Sequence, residues 1–156
     1  MHPPFQQSSL KPIRSGQTPQ PSLHRFVQAQ AETYASALAE LAAGRKTGHW
    51  IWWVLPQLRG LGRSEYSVFY GLIDSEEARA YLMHPVLGPR YRECVSIIHR
   101  HLCEALVEPL VLMGSEIDVI KLQASLGLFA GIAEESKECE VLHRQICEVL
   151  GVLSKP

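Results

Sequence analysis

The sequence predicts an all-α fold, a compact single-domain bundle of about six or seven helices. Apolar residues recur at the spacing of amphipathic helices through most of the chain. N-capping residues and Gly or Pro bound these segments. Strand-like and helix-like segments do not alternate, which argues against an α/β domain. A chain of 156 residues can bury a core of its own without metals or disulfides.

Residues 1–21 differ in composition from the rest of the chain. They are rich in Pro, Gln and Ser. Such a composition buries too little apolar surface to offset the entropy of ordering the chain. We therefore predict a flexible tail over residues 1–21 and a single helical domain over residues 22–152.

The first predicted helix begins at Ser22, a residue suited to an N-cap, and stops at Gly44. It is either one long helix or two short ones. Residues 49–55 form a short apolar run, and periodicity leaves open whether it is a buried strand or a buried helical turn. A glycine-rich loop over residues 60–64 follows, and Ser64 is placed to cap a short helix.

Four further helices are predicted over residues 74–83, 89–106, 115–132 and 136–150. The first of these begins with Asp74, and Glu77 follows three residues later, which is typical of a capping box. Pro109 lies between the second and third helices, where it interrupts the chain. Ser115 is placed to cap the third.

Composition and charge exclude several classes of function. The formal net charge of −1 leaves no basic surplus for binding duplex nucleic acid. No apolar run is long enough to span a membrane, and no secretory signal pattern is present. The four cysteines form no Cys-x-x-Cys pair, so we expect buried free thiols. No cofactor or metal site is predicted, and we expect a cytoplasmic protein.

The helix after Ser115 carries the most informative pattern. Apolar residues surround it almost completely, which predicts a buried helix. Asp118, Lys121 and Ser125 nevertheless fall at i, i+3 and i+7, on one stripe. Because buried charges are costly unless paired or used, the stripe is either an internal ion pair or a ligand-facing surface. Gly127 costs about 1 kcal/mol relative to alanine inside a helix, which indicates close packing there.

Two preceding segments add further candidates. Lys46 and Arg63 supply cations, and Arg63 can bind a phosphate with its planar guanidinium. Trp50 and Trp52 supply flat surfaces for stacking, with the titratable ring of His49 beside them. Both segments also have a purely structural interpretation. Tryptophans are more often core residues than binding residues, and glycine-rich segments are more often ordinary tight loops.

Several segments between residues 23 and 132 follow one another in a characteristic order. They include Arg25-Phe26-Val27, Gly44-Arg45-Lys46, His49-Trp50-Ile51-Trp52, Gly60-Leu61-Gly62-Arg63-Ser64, Glu77-Ala78-Arg79-Ala80-Tyr81-Leu82, His84-Pro85-Val86-Leu87-Gly88-Pro89-Arg90, and Lys121-Leu122 with Leu128-Phe129. This series resembles the domain-of-unknown-function family 1810. The resemblance implies a compact helical fold without an assigned biochemical role. Some members carry the name calpastatin, although nothing in this chain indicates a protease inhibitor.

The chain departs from that family's pattern in one helix and at its end. The family pattern Lys-Leu-x-Ser-Ser-x-Thr-Leu-Phe has hydroxyl residues where this chain has Ala124 and Gly127. The family's closing segment is not recognisable after Glu134. If the missing hydroxyls contact a ligand, this chain is expected to bind that ligand weakly or not at all.

We predict recognition of a small anionic, nucleotide-like metabolite in a pocket between helices. The candidate ligand-binding residues are Lys46, His49, Trp50, Trp52, Arg63, Asp118, Lys121 and Ser125. Catalysis is left open, and His49 or Asp118 would be the acid or base. The alternative is a protein-interaction module without a small ligand. Tryptophans facing solvent would favour the module, and tryptophans lining a cavity beside Lys121 would favour the ligand.

Overall fold

The computed structural model describes residues 22–155, and within them the all-α prediction is confirmed. The predicted tail over residues 1–21 lies outside the described residues. Eight α-helices occur in the described part, and its one isolated β-bridge pairs Leu58 with Leu72. The helices are α1 (His24–Ala42), α2 (Ile51–Val54), α3 (Glu65–Tyr70), α4 (Ser75–Met83), α5 (Leu87–His99), α6 (Pro109–Met113), α7 (Glu116–Ala133) and α8 (Glu140–Leu153).

The structure of the first half of the chain settles two points that the sequence left open. These are whether one helix or two precede Gly44, and whether residues 49–55 form a strand or a helical turn. α1 is one continuous helix with Phe26, Ala37 and Leu41 fully buried on one face. It is followed by Gly44 in the left-handed conformation, at φ +84°. The apolar run at residues 49–55 contains the single helical turn α2, so of the two alternatives the buried helical turn is the correct one.

Pro109 begins a helix instead of only interrupting the chain. It occupies the first turn of α6, where its missing N–H is not needed, and Gly114 ends that helix at φ +88°. This short helix raises the count in the described residues above the predicted six or seven. α5 begins at Leu87 and continues into a π-helical turn over Arg100–Glu104, so the predicted helix over 89–106 is shifted slightly.

Three predicted N-caps are present in the structure. The side chains of Ser64, Asp74 and Ser115 each accept a hydrogen bond from the backbone N–H three residues later, at 2.9–3.1 Å. The capping box is not closed. Glu77 accepts a hydrogen bond from the Ile73 N–H at 2.9 Å and forms an ion pair with buried Arg25 instead.

All four cysteines are free thiols, in agreement with the sequence prediction. Only Cys94 and Cys139 are buried, however, while Cys103 is half-buried and Cys147 is exposed. The prediction of uniform burial was therefore wrong. Burial of a residue on an amphipathic helix depends on which neighbours cover it, and composition does not reveal that.

Helix α7 is the central element, and it contacts α2, α4, α6 and α8. One side is fully buried through Leu122, Leu126 and Phe129. The opposite side is not, because Ile117 and Ile120 are 63% and 64% exposed. The prediction that a helix apolar on all sides is buried on all sides was therefore wrong for its N-terminal half.

The expectation of close packing at Gly127 was also wrong. Gly127 is exposed, and a Cβ added to it would meet no atom within 4 Å. The glycine is therefore not required by a neighbouring backbone.

No helix within residues 22–155 combines the length and the apolar character needed to cross a membrane.

Candidate functional site

The loop between α1 and α2 folds around one carboxylate. Glu40, near the end of α1, accepts hydrogen bonds from the backbone N–H groups of Thr47 and Gly48, at 2.8 and 2.9 Å. It also accepts one from Trp50 Nε1 at 2.8 Å. Burial raises the pKa of Glu40, but these hydrogen bonds outweigh burial, and the pKa lies below its ordinary value. The carboxylate therefore fixes the loop that carries Lys46.

A network of three charges joins this loop to α7. Lys46, whose side chain is 3% exposed, donates from Nζ to Asp118 Oδ2 at 2.5 Å and to the Gly48 carbonyl at 2.6 Å. Lys121 Nζ lies 3.8 Å from the other oxygen, Asp118 Oδ1. Both charged residues of the predicted α7 stripe therefore have partners. Two cations share one anion, so the network carries a positive surplus.

Each lysine of the network also lies over a tryptophan. Lys46 Nζ is 5.1 Å from the ring centroid of Trp50, and Lys121 Nζ is 3.7 Å from that of Trp52. Such contacts contribute about 0.5–2 kcal/mol, depending on how far the cation is desolvated. Trp50 is buried, while Trp52 is half-buried. The two tryptophans thus hold the lysines in place from the loop side.

The environment of Lys121 disfavours its charged form. Burial lowers the pKa of Lys121, Asp118 raises it, and the like charge of Lys46 lowers it. The net effect is a pKa below the ordinary value for lysine. Asp118 forms its short ion pair with Lys46, so its interaction with Lys121 is the longer and weaker one.

Lys121 opens onto a cleft of about 390 Å³ between α7 and the segment that follows α2. We call this the α7 cleft. Its walls are predominantly apolar, and its charged lining groups are Arg63 and Lys121. Leu61, Ile117 and Ile120, each more than 60% exposed, form its outer walls. The full lining is Trp52, Gln57, Leu61, Gly62, Arg63, Ser64, Ile117, Ile120, Lys121 and Ala124.

The predicted site residues fall into separate groups in the structure. Trp52, Arg63 and Lys121 line the α7 cleft. Lys46, Trp50 and Asp118 do not line it but form the network behind Lys121. The predicted cation pair of Lys46 and Arg63 is therefore not a pair, and buried Trp50 is not a stacking platform. His49 is exposed and does not line the cleft.

Ser125 contradicts the predicted ligand-facing stripe. It is fully buried, and its hydroxyl lies 3.0 Å from the hydroxyl of Tyr91, with which it forms a hydrogen bond in the core. Residues at i and i+7 share a helix face but lie about 10 Å apart along the axis. Ser125 therefore lies deeper in the bundle than Asp118 and Lys121.

The sequence did not identify several residues of the site. Glu40 carried no pattern of its own, because its three partners are brought to it only by the folded loop. Ile117 and Ile120 were predicted to lie in the core because they are apolar. Hydropathy alone does not show which side of α7 other elements cover. Ala124 did carry a signal, since it is one of the two departures from the family pattern, and it lines the cleft.

The described residues do not suggest a metal centre. Within residues 22–155, no three His, Cys, Asp or Glu side chains come together as a set that could hold a metal ion.

Comparison with known proteins places the chain in a family. No curated protein matches it. Among solved structures it is similar to the conserved hypothetical protein Rv1873 from Mycobacterium tuberculosis, with 41% identity over 83% of this chain and 84% of that chain and a TM-score of 0.70. A family model described as a protein of unknown function, DUF1810, matches residues 20–148. The match extends past Glu134, so the expectation that the family pattern is not recognisable there was wrong. The chain therefore belongs to the DUF1810 family of proteins of unknown function.

Proposed function

We propose that the α7 cleft binds a small anionic metabolite that also carries an apolar or planar part, and nucleotides are the first class to examine. The observation that carries the proposal is the placement of two cations, Arg63 and Lys121, on the walls of one largely apolar cleft. Ligand sites combine apolar walls with a few placed polar groups in this way.

The charge balance favours an anion. Asp118 forms its short contact with buried Lys46, so it neutralises Lys121 only in part. Arg63 is exposed, and its guanidinium can form two parallel hydrogen bonds to a phosphate or carboxylate. An anion between Arg63 and Lys121 would compensate the positive surplus of the network.

The apolar walls favour a ligand with an uncharged part. Leu61, Ile117 and Ile120 present exposed aliphatic surface beside the two cations. The ring of Trp52 already contacts the Lys121 ammonium, so we assign it to holding Lys121 and not to stacking on a base. A ring or aliphatic group of the ligand would pack on the aliphatic walls.

A second candidate function is a protein-interaction surface. It is favoured by the same exposed residues, because Leu61, Ile117 and Ile120 would also suit an apolar partner surface. A protein partner would tolerate replacement of Arg63 better than a small anion would, because burial of apolar area would supply most of its affinity.

The test is a thermal-shift screen with nucleotides and sugar phosphates, followed by calorimetry. A ligand at a hundredfold excess over its Kd stabilises the folded state by about 2.7 kcal/mol. That corresponds to a rise in Tm of about 5–10 °C for a domain of this size. Arg63→Gln should abolish the shift, and Arg144→Gln, at an exposed site on α8, should not. Absence of any shift across the screen at millimolar concentration would favour the interaction surface.

A further inference from the structure

We propose that Lys121 is a reactive amine that condenses with the carbonyl group of an anionic aldehyde or ketone held in the α7 cleft, forming a Schiff base. The proposal rests on the proposed function, because the anionic group is what would select the carbonyl compound. It narrows the ligand from any small anion to one that carries a carbonyl carbon within reach of Lys121 Nζ.

The two lysines of the charge network differ in accessibility. Lys46 is 3% exposed and donates two short hydrogen bonds, to Asp118 and to the Gly48 carbonyl. Lys121 is 19% exposed and lines the cleft. Its contact with Asp118 is the longer one, at 3.8 Å, and its Nζ also lies over the ring of Trp52. Lys121 is therefore the lysine of this network that a ligand in the cleft can reach.

The groups that face Lys121 act in opposite directions on its ammonium charge. Burial beside the apolar walls and the like charge of Lys46 act against the ammonium form. Asp118 and the face of Trp52 act for it. The pKa of Lys121 nevertheless lies below its ordinary value, which increases the neutral, nucleophilic fraction near neutral pH. Arg63 faces the cleft from the opposite wall, but its charge is not among the causes of the lowered pKa of Lys121.

The condensation balances without any further reactant. The lone pair of neutral Lys121 Nζ forms a bond to the carbonyl carbon while the C–O π electrons move to oxygen. A proton passes from nitrogen to that oxygen and gives a carbinolamine. Its hydroxyl then takes from solvent the proton that the Lys121 ammonium released on becoming neutral, and it leaves as water while the nitrogen lone pair forms the C=N bond. The resulting protonated Schiff base carries the same charge as the original ammonium, so Asp118 and Trp52 stabilise it in the same way.

The lining of the cleft suggests how such a substrate would lie. Its anionic group would pair with Arg63 and its carbonyl carbon would meet Lys121, with aliphatic contact to Ile117 and Ile120. Phosphorylated aldehydes have both functional groups in a small molecule. Pyridoxal 5′-phosphate and pyridoxal are a matched pair of probes, because they differ in the phosphate.

The experiment treats the full chain with each probe, reduces the product with borohydride and maps the modified lysines by mass spectrometry. Lys137 and Lys155 are exposed and serve as internal controls. With pyridoxal 5′-phosphate near neutral pH, we expect Lys121 to be modified several-fold faster than either control, because the cleft holds the probe beside an amine whose pKa is lowered. Lys46 should remain unmodified. The rate at Lys121 should also reach its plateau at a lower pH than is usual for a lysine.

Two variants separate the parts of the proposal. Lys121→Arg keeps the positive charge and should remove labelling from the cleft while the control lysines react as before. Arg63→Gln should remove the advantage of the phosphorylated probe over pyridoxal but leave the reactivity of Lys121 toward pyridoxal.

The outcomes that overturn the two proposals differ. If neither probe modifies Lys121 faster than Lys137, the reactive amine is refuted, whatever the metabolite screen finds. If Lys121 reacts fast but equally with both probes, an anionic substrate is refuted, and the proposed anion-binding function of the cleft falls with it.

Discussion

Asp118 contacts two lysines that differ in their distance from it and in their burial. Its short bond is to Lys46, which is almost completely buried, and its long contact is to the accessible Lys121. Removing a carboxylate from a buried pair leaves the other charge without a partner in a poorly solvated position. The main structural consequence of losing Asp118 therefore falls on Lys46.

We predict that Asp118→Ala lowers the free energy of unfolding by about 3–5 kcal/mol, because Lys46 loses its carboxylate. The double variant with Lys46→Met should recover part of the loss, since the stranded charge is then absent. Urea denaturation of the three proteins measures both effects. Glu135→Ala, which breaks an exposed pair with Arg79, is the control and should change stability little. An Asp118→Ala variant as stable as this control would contradict the network.

Glu40 offers a test by pH. The folded-state pKa of Glu40 is depressed, so the carboxylate contributes stability that is fully present above its unfolded pKa, near the ordinary 4.5. That contribution is lost as the pH falls through the lower, folded-state pKa. We predict that Glu40→Gln is less stable than the parent protein by about 2 kcal/mol at pH 7.

The stability difference at Glu40 should begin to shrink as the pH falls below about 4.5, where the carboxyl of the unfolded chain takes up a proton. It should be lost once the pH has fallen through the lower, folded-state pKa. Chemical denaturation across the acid range follows this difference directly. A difference that is independent of pH would mean that the carboxylate charge does not hold the loop.

At the scale of single elements, α7 shows why periodicity predicts a helix better than it predicts that helix's surroundings. The cap at Ser115 and the apolar pattern defined the helix closely. The cap and the apolar pattern could not show that the first half of α7 borders a cleft. The cleft exists because residues 52–64 pack opposite this part of α7. The surroundings also could not be predicted for α2. Its apolar sequence would suit a buried strand equally well if a neighbouring strand were present.

The glycines of α7 give a prediction at this scale. Gly127→Ala and Gly131→Ala should each stabilise the protein by about 1 kcal/mol, because a helical glycine carries extra backbone entropy in the unfolded chain. Both sites are open, with no atom within 4 Å of an added Cβ. Gly88→Ala in α5 is the matched control. Its Cβ would lie 2.1 Å from the Leu82 carbonyl oxygen, so this variant should be destabilised. Thermal denaturation compares all three, and the prediction is wrong if they change Tm in the same direction.

At the scale of the whole molecule, the spacing of apolar residues and the helix caps were enough to predict the all-α class. They were not enough to predict which residues line the α7 cleft. Asp118 and Lys121 were identified because charges among apolar residues are costly unless they are paired or bind a ligand. Lys46 was identified as a cation in the segment that carries Trp50 and Trp52. Their roles required the tertiary structure, which divides them between a buried network and an open cleft. Ser125 had the same spacing argument in its favour, and the depth of the core along α7 placed it with Tyr91 instead.

The two departures from the family pattern differ in position, and this permits a direct test of the cleft. Ala124 lines the cleft, whereas Gly127 is exposed elsewhere on α7. If family members use a hydroxyl at the first position to bind an anion, Ala124→Ser should strengthen binding of the anionic ligand found in the screen. One hydrogen bond of about 1 kcal/mol corresponds to roughly a fivefold lower Kd.

Gly127→Thr restores the other family hydroxyl outside the cleft, so it should leave the Kd unchanged. Calorimetric titration of the parent protein and the two variants with the same ligand measures the three constants. Equal affinities for the parent and Ala124→Ser would show that this position does not contact the ligand. A gain in affinity confined to Gly127→Thr would locate the binding site on the exposed face of α7 instead of in the cleft.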